Sequence, residues 1–175
     1  MKLRTTLLLV AGILMVNIAV ASTTTTTLNV SATIGAGTCS ASSSPVAFQI
    51  PGSANFNDTN TYYFGNGSID ITCSNGTPYT IDLDGGQHLS FDGIHYNPFV
   101  VDGNGNGMLY ALFSDPSYNT EWGGANYGAG PNVSGVGNGN PQTYTVYGEI
   151  NPGFHVGTPI TGVSYNDIIT VTVNY

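Results

Sequence analysis

Residues 22–34 read Ser-Thr-Thr-Thr-Thr-Thr-Leu-Asn-Val-Ser-Ala-Thr-Ile. From Leu28 the run alternates strictly. Leu28, Val30, Ala32 and Ile34 fall on one face, and Asn29, Ser31 and Thr33 on the other. Period 2 with β-branched residues predicts a strand with one buried face. The threonines ahead of it offer little apolar surface to hold it in place. Such a strand can pair with its own domain or with another copy, because an unpaired sheet edge is a template for a foreign strand. The alternation alone fixes neither partner.

Upstream, residues 1–21 have the layout of a cleaved signal peptide. Lys2 and Arg4 form the charged start, Leu7 to Val20 the apolar stretch, and Ala19-Val20-Ala21 the small-residue cleavage site. The apolar run is shorter than the roughly 20 residues a spanning helix needs, so no membrane insertion is expected after cleavage. Lys2 and Arg4 are also the only basic residues of the chain, so losing them takes the formal charge from −8 to −10. Without Lys or Arg the chain cannot make the phosphate contacts that dominate nucleic-acid binding, and it has no basic patch for anionic lipid. Nucleic acid and membrane surfaces are therefore excluded as partners.

The 175 residues make one domain's worth of chain, and 41% of them are hydrophobic, enough for a β core. Charged residues are only 7%, so the expected surface is polar but uncharged, with no Lys to guard its sheet edges. Cys39 and Cys73 are the two cysteines, and an even count in an exported chain predicts a disulfide. Closing that loop constrains the unfolded chain by about 4 kcal/mol on the entropic account. No His or further Cys stands at zinc-site spacing around them.

Past a Gly35-to-Gly37 hinge, six strands are expected: Pro45–Ile50, Ser68–Cys73, Pro78–Asp84, Met108–Ser114, Thr143–Ile150 and Asp167–Tyr175. Asn75-Gly76 is a strong turn signal, so Ser68–Asp84 reads as a β-hairpin. Residues 85–107 read as loop. Residues 115–141 read as loops with one short strand at most, and Asn151-Pro152-Gly153 as the end of a strand. No stretch after residue 21 has a 3.6-residue apolar period. Short strands separated by turns predict an all-β sandwich, with the opening strand as its seventh or with one strand missing.

The residues offer no persuasive chemistry. Asp102-Gly-Asn104-Gly-Asn106-Gly107 opens like a calcium loop, but the twelfth position holds Phe113 in place of the bidentate Glu. His88, Asp92 and His95 lie close in sequence, but in a loop, where spacing constrains little, and His155 has no evident partner. Asp82 and Asp84 share a strand face, opposite Tyr79, Ile81 and Leu83, and read as an exposed polar face rather than a carboxylate pair. No Gly-x-Ser-x-Gly element exists. No catalytic, metal or cofactor site is expected. Trp122 and the tyrosines leave a sugar-stacking platform open as an alternative.

Four stretches, in order, resemble the spore coat protein U domain, shared with the archaic (Csu-type) chaperone–usher pilins. The first is Thr72-Cys73-Ser74-Asn75-Gly76-Thr77-Pro78-Tyr79, leading into Ile81-Asp82-Leu83-Asp84-Gly85-Gly86. The second runs from Tyr110-Ala111-Leu112-Phe113-Ser114-Asp115 to Glu121-Trp122-Gly123. The third is Thr145-Val146-Tyr147-Gly148-Glu149-Ile150. The fourth is Gly162 to Tyr175, with Tyr165-x-Asp167. The resemblance implies an incomplete immunoglobulin-like β-sandwich, spanning 35–175, completed by a donated strand. It implies residues 22–34 as that donor, with Leu28, Val30, Ala32 and Ile34 filling a neighbour's groove. It implies a C-terminal strand with Ile169, Val171, Val173 and Tyr175 lining the groove. Other pilin subunits, a periplasmic chaperone and an outer-membrane usher are the implied partners, and the cell surface the implied location. One domain with a donor-like strand implies a shaft or adaptor subunit of a pilus. A spore or cell-surface coat protein of the same fold, or a secreted carbohydrate-binding module, are the alternatives. The chain departs from the family at Glu149, where a basic residue is common.

Overall fold

In the computed structural model the described residues are 26–32, 37–91, 96–123 and 132–175. The signal-peptide segment 1–21, residues 22–25 of the expected donor, Thr33, Ile34, Gly35 and Ala36, and the candidate ligands Asp92 and His95 lie outside them. The chain divides into two compact units, Met1–Ile34 and Gly35–Tyr175.

In the first unit, residues 26–32 form no strand, and Leu28 and Val30 are 87% and 88% exposed. The alternation predicted a strand here. A strand exists only where its N–H and C=O groups meet a neighbour, and no strand pairing involves residues 26–32 among the described residues.

The second unit is all-β. Its nine strands, counted among the described residues, are β1 (Cys39–Ser44), β2 (Tyr63–Cys73), β3 (Pro78–Leu83), β4 (Leu89–Phe91), β5 (Tyr96–Val101), β6 (Gly107–Phe113), β7 (Val133–Val136), β8 (Gln142–Val156) and β9 (Val171–Asn174). A six-stranded sheet has the order β1-β2-β8-β6-β5-β4 and a three-stranded sheet the order β7-β3-β9. Their facing sides make a sandwich. Ile69 and Ile71 of β2 and Val146 of β8 meet Tyr79, Ile81 and Leu83 of β3. Trp122 is buried with them and donates its indole N–H to the Ile81 carbonyl at 3.2 Å. The polar end of this large ring is thereby satisfied in the core, so Trp122 is no sugar-stacking platform. Beside it, Met108, Tyr110 and Ile150 form a second cluster.

Several expectations change. The first strand is Cys39–Ser44, not Pro45–Ile50. Its serines are exposed, and it is held by its ladder to β2, from Cys39↔Cys73 to Ser44↔Ser68, with those cysteines disulfide-bonded. Val46, Phe48 and Ile50 are half-buried and unpaired, so their period of 2 records packing onto the core. Ser68–Asp84 is not a hairpin. The Asn75-Gly76 turn exists, closed by Thr77 N–H to Ser74 O at 3.1 Å with Gly76 at φ 80°, but β2 and β3 belong to different sheets. A tight turn reverses the chain at a sheet-to-sheet corner as readily as within a ladder.

Residues 85–107 contain β4 and β5. Their turn-rich flanks, and Pro98 inside β5, hide them from periodicity. The short strand of 115–141 is β7. Strand β8 runs on through Asn151-Pro152-Gly153. Asn151 is buried there, bonding Thr59 O at 2.8 Å and Gly153 N–H at 2.9 Å, and the register shifts opposite Met108/Leu109. This bulge absorbs the proline that the turn reading took as a stop.

Candidate functional site

The sandwich leaves a gap on one side. Among the described residues strand β1 is one edge of the large sheet and β9 one edge of the small one, each paired on one side. Between them opens a groove of about 800 Å³. One lip is residues 43–52, running on from β1; the other is residues 160–169, leading into β9. Ile69, Leu83, Met108, Leu112, Val146 and Ile150 lie along its floor, so the cores of both clusters face it. On the second lip Ile160, Val163 and Ile168 are exposed. Fully covering an aliphatic side chain of this size contributes about 1.5–3 kcal/mol, so the groove is a strong site for apolar residues.

Glycines set the height of the first lip. A Cβ on Gly148 would lie 2.6 Å from Val46 Cγ1 and 2.8 Å from Phe48 Cζ, and one on Gly65 only 2.3 Å from the Ala47 carbonyl. The 45–48 segment therefore lies directly on the backbone of β2 and β8.

Carboxylates fix the second lip. The side chain of Asp167 is 3% exposed. Its Oδ2 accepts the Tyr110 hydroxyl at 2.7 Å, and its Oδ1 accepts the N–H of Gln87 at 3.0 Å and of Ile168 at 2.9 Å, with His88 Nδ1 at 2.8 Å. Burial, then the Asp167 bond, raises the Tyr110 hydroxyl well above the ordinary tyrosine range. Asp84 Oδ1 accepts the Thr170 N–H at 2.8 Å and the Gly86 N–H at 3.0 Å. Burial pushes Asp84 up, but these bonds outweigh it and hold its pKa below the usual 3.8. Asn166 pairs with Val101 at 3.0 and 2.9 Å, and the Tyr165 hydroxyl accepts the Ile160 N–H at 2.8 Å. A segment with no apolar period is thus tied down every few residues.

Ile169 and Val171 line this groove. Val173 packs against the first core cluster, and Tyr175 is exposed beyond the end of β9. Leu28, Val30 and Ala32 are exposed in the first unit; Ile34 is outside the described residues. The calcium-like loop is a turn between β5 and β6. Asp102 there accepts the N–H groups of Asn104 at 2.8 Å and Asn106 at 2.9 Å, and the Asn106 amide at 2.8 Å. The Asn106 bond first, set against burial and helped by the two N–H groups, keeps its pKa below 3.8. His155 Nδ1 lies 3.2 Å from the Pro152 carbonyl, and Asp82 accepts the Asn174 amide at 2.6 Å. Among the described residues no three His, Cys, Asp or Glu gather as metal ligands.

Sequence reasoning missed the lips as lips. The signal for the first was the Val46-Phe48-Ile50 alternation. For the second it was Tyr165-x-Asp167, whose partners lie far away in sequence.

The family model of the Spore Coat Protein U domain matches residues 24–172. The chain belongs to this family. Its match takes in the segment ahead of the sandwich as well as the sandwich. No curated protein matches this spore coat U chain. Among solved structures, it is similar to a chain in the crystal structure of the CsuC–CsuE chaperone–tip adhesion subunit pre-assembly complex, from archaic chaperone-usher Csu pili of Acinetobacter baumannii. The TM-score is 0.52 at 22% identity, a likeness of fold. It covers 79% of this chain, which spans only 40% of that one.

Proposed function

We propose that this spore coat U chain is a structural subunit of a chaperone–usher pilus, and that it polymerises by giving residues 22–34 to the groove of the next copy. The observation that carries the proposal is the apolar groove between two half-paired edges, β1 and β9, in a chain that also has an exposed alternating segment. An added strand supplies both needs. Its backbone pairs with a free edge, and its alternate side chains, about 6.7 Å apart, enter the groove. In this reading Leu28, Val30, Ala32 and Ile34 are the inserted residues, and Ile169 and Val171 part of the wall that receives them. One head-to-tail contact of this kind does not close on itself and gives a fibre.

A groove of this kind would bind unwanted strands before assembly. A periplasmic chaperone that fills it, and an outer-membrane usher that exchanges it, complete the proposal. Signal cleavage after Ala21, export through the periplasm and a place at the cell surface go with it, as does a structural rather than catalytic role. The family's description favours a second reading, in which the same contact builds a coat; electron microscopy of the surface material, fibre against layer, separates the two.

The test is a gel of sheared surface material, unheated against boiled, from cells expressing the chain with its chaperone and usher. The proposal expects an unheated ladder that collapses to monomer on boiling and disappears in the double variant Val30→Asp/Ile34→Asp. Added peptide of residues 22–34 should still enter that variant's groove, which shows that it folds. Monomer alone in unheated wild-type material, or a ladder unchanged by the substitutions, overturns it.

A further inference from the structure

Among the described residues β1 is the longest of the strands that end the two sheets. It has six residues, against three in β4 and four each in β7 and β9. Short length protects a sheet edge; a longer edge is guarded by charge, proline or a bulge. Cys39–Ser44 has no charged residue and no proline, and its register to β2 runs unbroken from Cys39↔Cys73 to Ser44↔Ser68. Every residue from Ser40 to Ser44 is exposed.

The ladder to β2 decides which backbone groups of β1 face out. Ser74 donates its N–H to the Thr38 carbonyl at 2.9 Å, and the Ser68 N–H points at Ser44, whose hydroxyl accepts it at 3.0 Å. The even-numbered residues of β1 therefore turn their backbone groups toward β2. Cys39 and Cys73 stand 4.1 Å apart at Cα, the close spacing of a pair without ladder bonds. It follows that the N–H and C=O of Cys39, Ala41 and Ser43 point to the free edge.

This edge is complementary to itself. In a second copy turned about a two-fold axis through Ala41, Ala41 meets Ala41 and Cys39 meets Ser43, and each pair exchanges N–H and C=O bonds. Ser40 then stands opposite Ser42 in a close pair, where hydroxyls bond across the strands. Charge permits the contact, although each copy is acidic as a whole. The one carboxylate of β2, Asp70, lies opposite Ser42. Two β1 strands would separate it from the Asp70 of the other copy. Three strand spacings make that at least about 14 Å, beyond the screening length of about 8 Å at 0.15 M salt.

We propose that β1 is a lateral interface that pairs antiparallel with β1 of a second copy, so that two six-stranded sheets join into one. The contact is separate from strand exchange. The groove reaches β1 only at Ser43 and Ser44, and its floor comes from β2, β3, β6 and β8.

The test uses the exported Val30→Asp/Ile34→Asp chain with added peptide of residues 22–34, so that no copy lends its own strand. Sedimentation over a range of concentrations should show monomer passing to dimer, with more dimer at higher salt. Ala41→Pro removes an N–H that faces the free edge and leaves the bonds to β2 in place, so it should weaken the dimer about tenfold or more. Uptake of the peptide shows that the Ala41→Pro variant folds. A second pair of variants fixes the register: Ser40→Cys mixed with Ser42→Cys should oxidise to a covalent dimer, since about 4.5 Å between Cα atoms suits a disulfide. Either variant alone should do so far less, because its cysteines meet only diagonally. If Ala41→Pro does not fold, the cysteine pair decides alone. Monomer at every concentration, a dimer indifferent to Ala41→Pro, or cross-linking no better in the mixture than in either variant alone overturns the proposal.

Discussion

Gly148 and Asp167 set the two lips of the groove by opposite means, one by having no side chain and the other through its carboxylate. Gly148→Val should push Val46 and Phe48 off the core and destabilise the fold by about 1–3 kcal/mol, as overpacking does. A lowered denaturant midpoint at an unchanged slope checks it. Asp167→Ala strips the acceptor from a buried tyrosine hydroxyl and two backbone N–H groups. The buried Tyr110 hydroxyl left unpaired costs about 1–3 kcal/mol, whereas the N–H groups of the exposed Gln87 and Ile168 can turn to water, so Asp167→Ala should destabilise about as much as Gly148→Val. Asp84 makes the lip sensitive to acid. Its native pKa lies below the unfolded value, so its contribution is complete above 3.8 and is lost as pH falls through the lower native value. Glu149, raised by burial and then by the charge of Glu121, runs the other way, since a raised native pKa means stability gained as pH falls. Acid unfolding curves should show Asp84→Asn flattening the low-pH loss, and Glu149→Gln removing a gain above it. Unchanged curves would refute these assignments.

Among the elements, those that expose one face and bury the other were legible. Ile69-Ile71-Cys73, Tyr79-Ile81-Leu83 and Ile169-Val171-Val173 alternate, and all pack inward. Strand β1 was not, because Cys39–Ser44 has no apolar side to alternate and exists through its ladder and its disulfide. The β2–β3 corner was misread because a turn signal reports reversal, not the sheet the chain enters next. The groove was half legible: Val46-Phe48-Ile50 showed its period, whereas Ile160, Val163 and Ile168 stand in a segment whose shape comes from Asp84, Asp167 and Tyr165 contacts distant in sequence. Because β1 depends on so little, the paired substitution Cys39→Ser/Cys73→Ser should cost about 4 kcal/mol on the loop-entropy account. Hydrogen exchange should then show β1 opening before β2 and β8; equal protection of all three would contradict this.

At the scale of the molecule, charge and edges oppose each other. Without residues 1–21 the chain has a formal charge of −10, so copies repel while the groove invites a strand. Assembly should therefore quicken with salt, as screening shortens toward about 10 Å at 0.1 M. Assembly kinetics that ignore ionic strength would count against contact between copies of like charge.

Whether the strand comes from another copy is open to direct measurement. Cys39 and Cys73 are the only cysteines and are bonded to each other, so an added cysteine reports cleanly. Copies with one cysteine at 28, 30, 32 or 34 would be assembled with copies carrying Ile168→Cys, then oxidised and boiled without reductant. Strand exchange predicts a covalent dimer joining the two kinds of copy for at least one donor position. A chain carrying both cysteines that closes a disulfide within itself, with no dimer from the mixture, would mean that residues 22–34 complete their own domain, and would contradict the account.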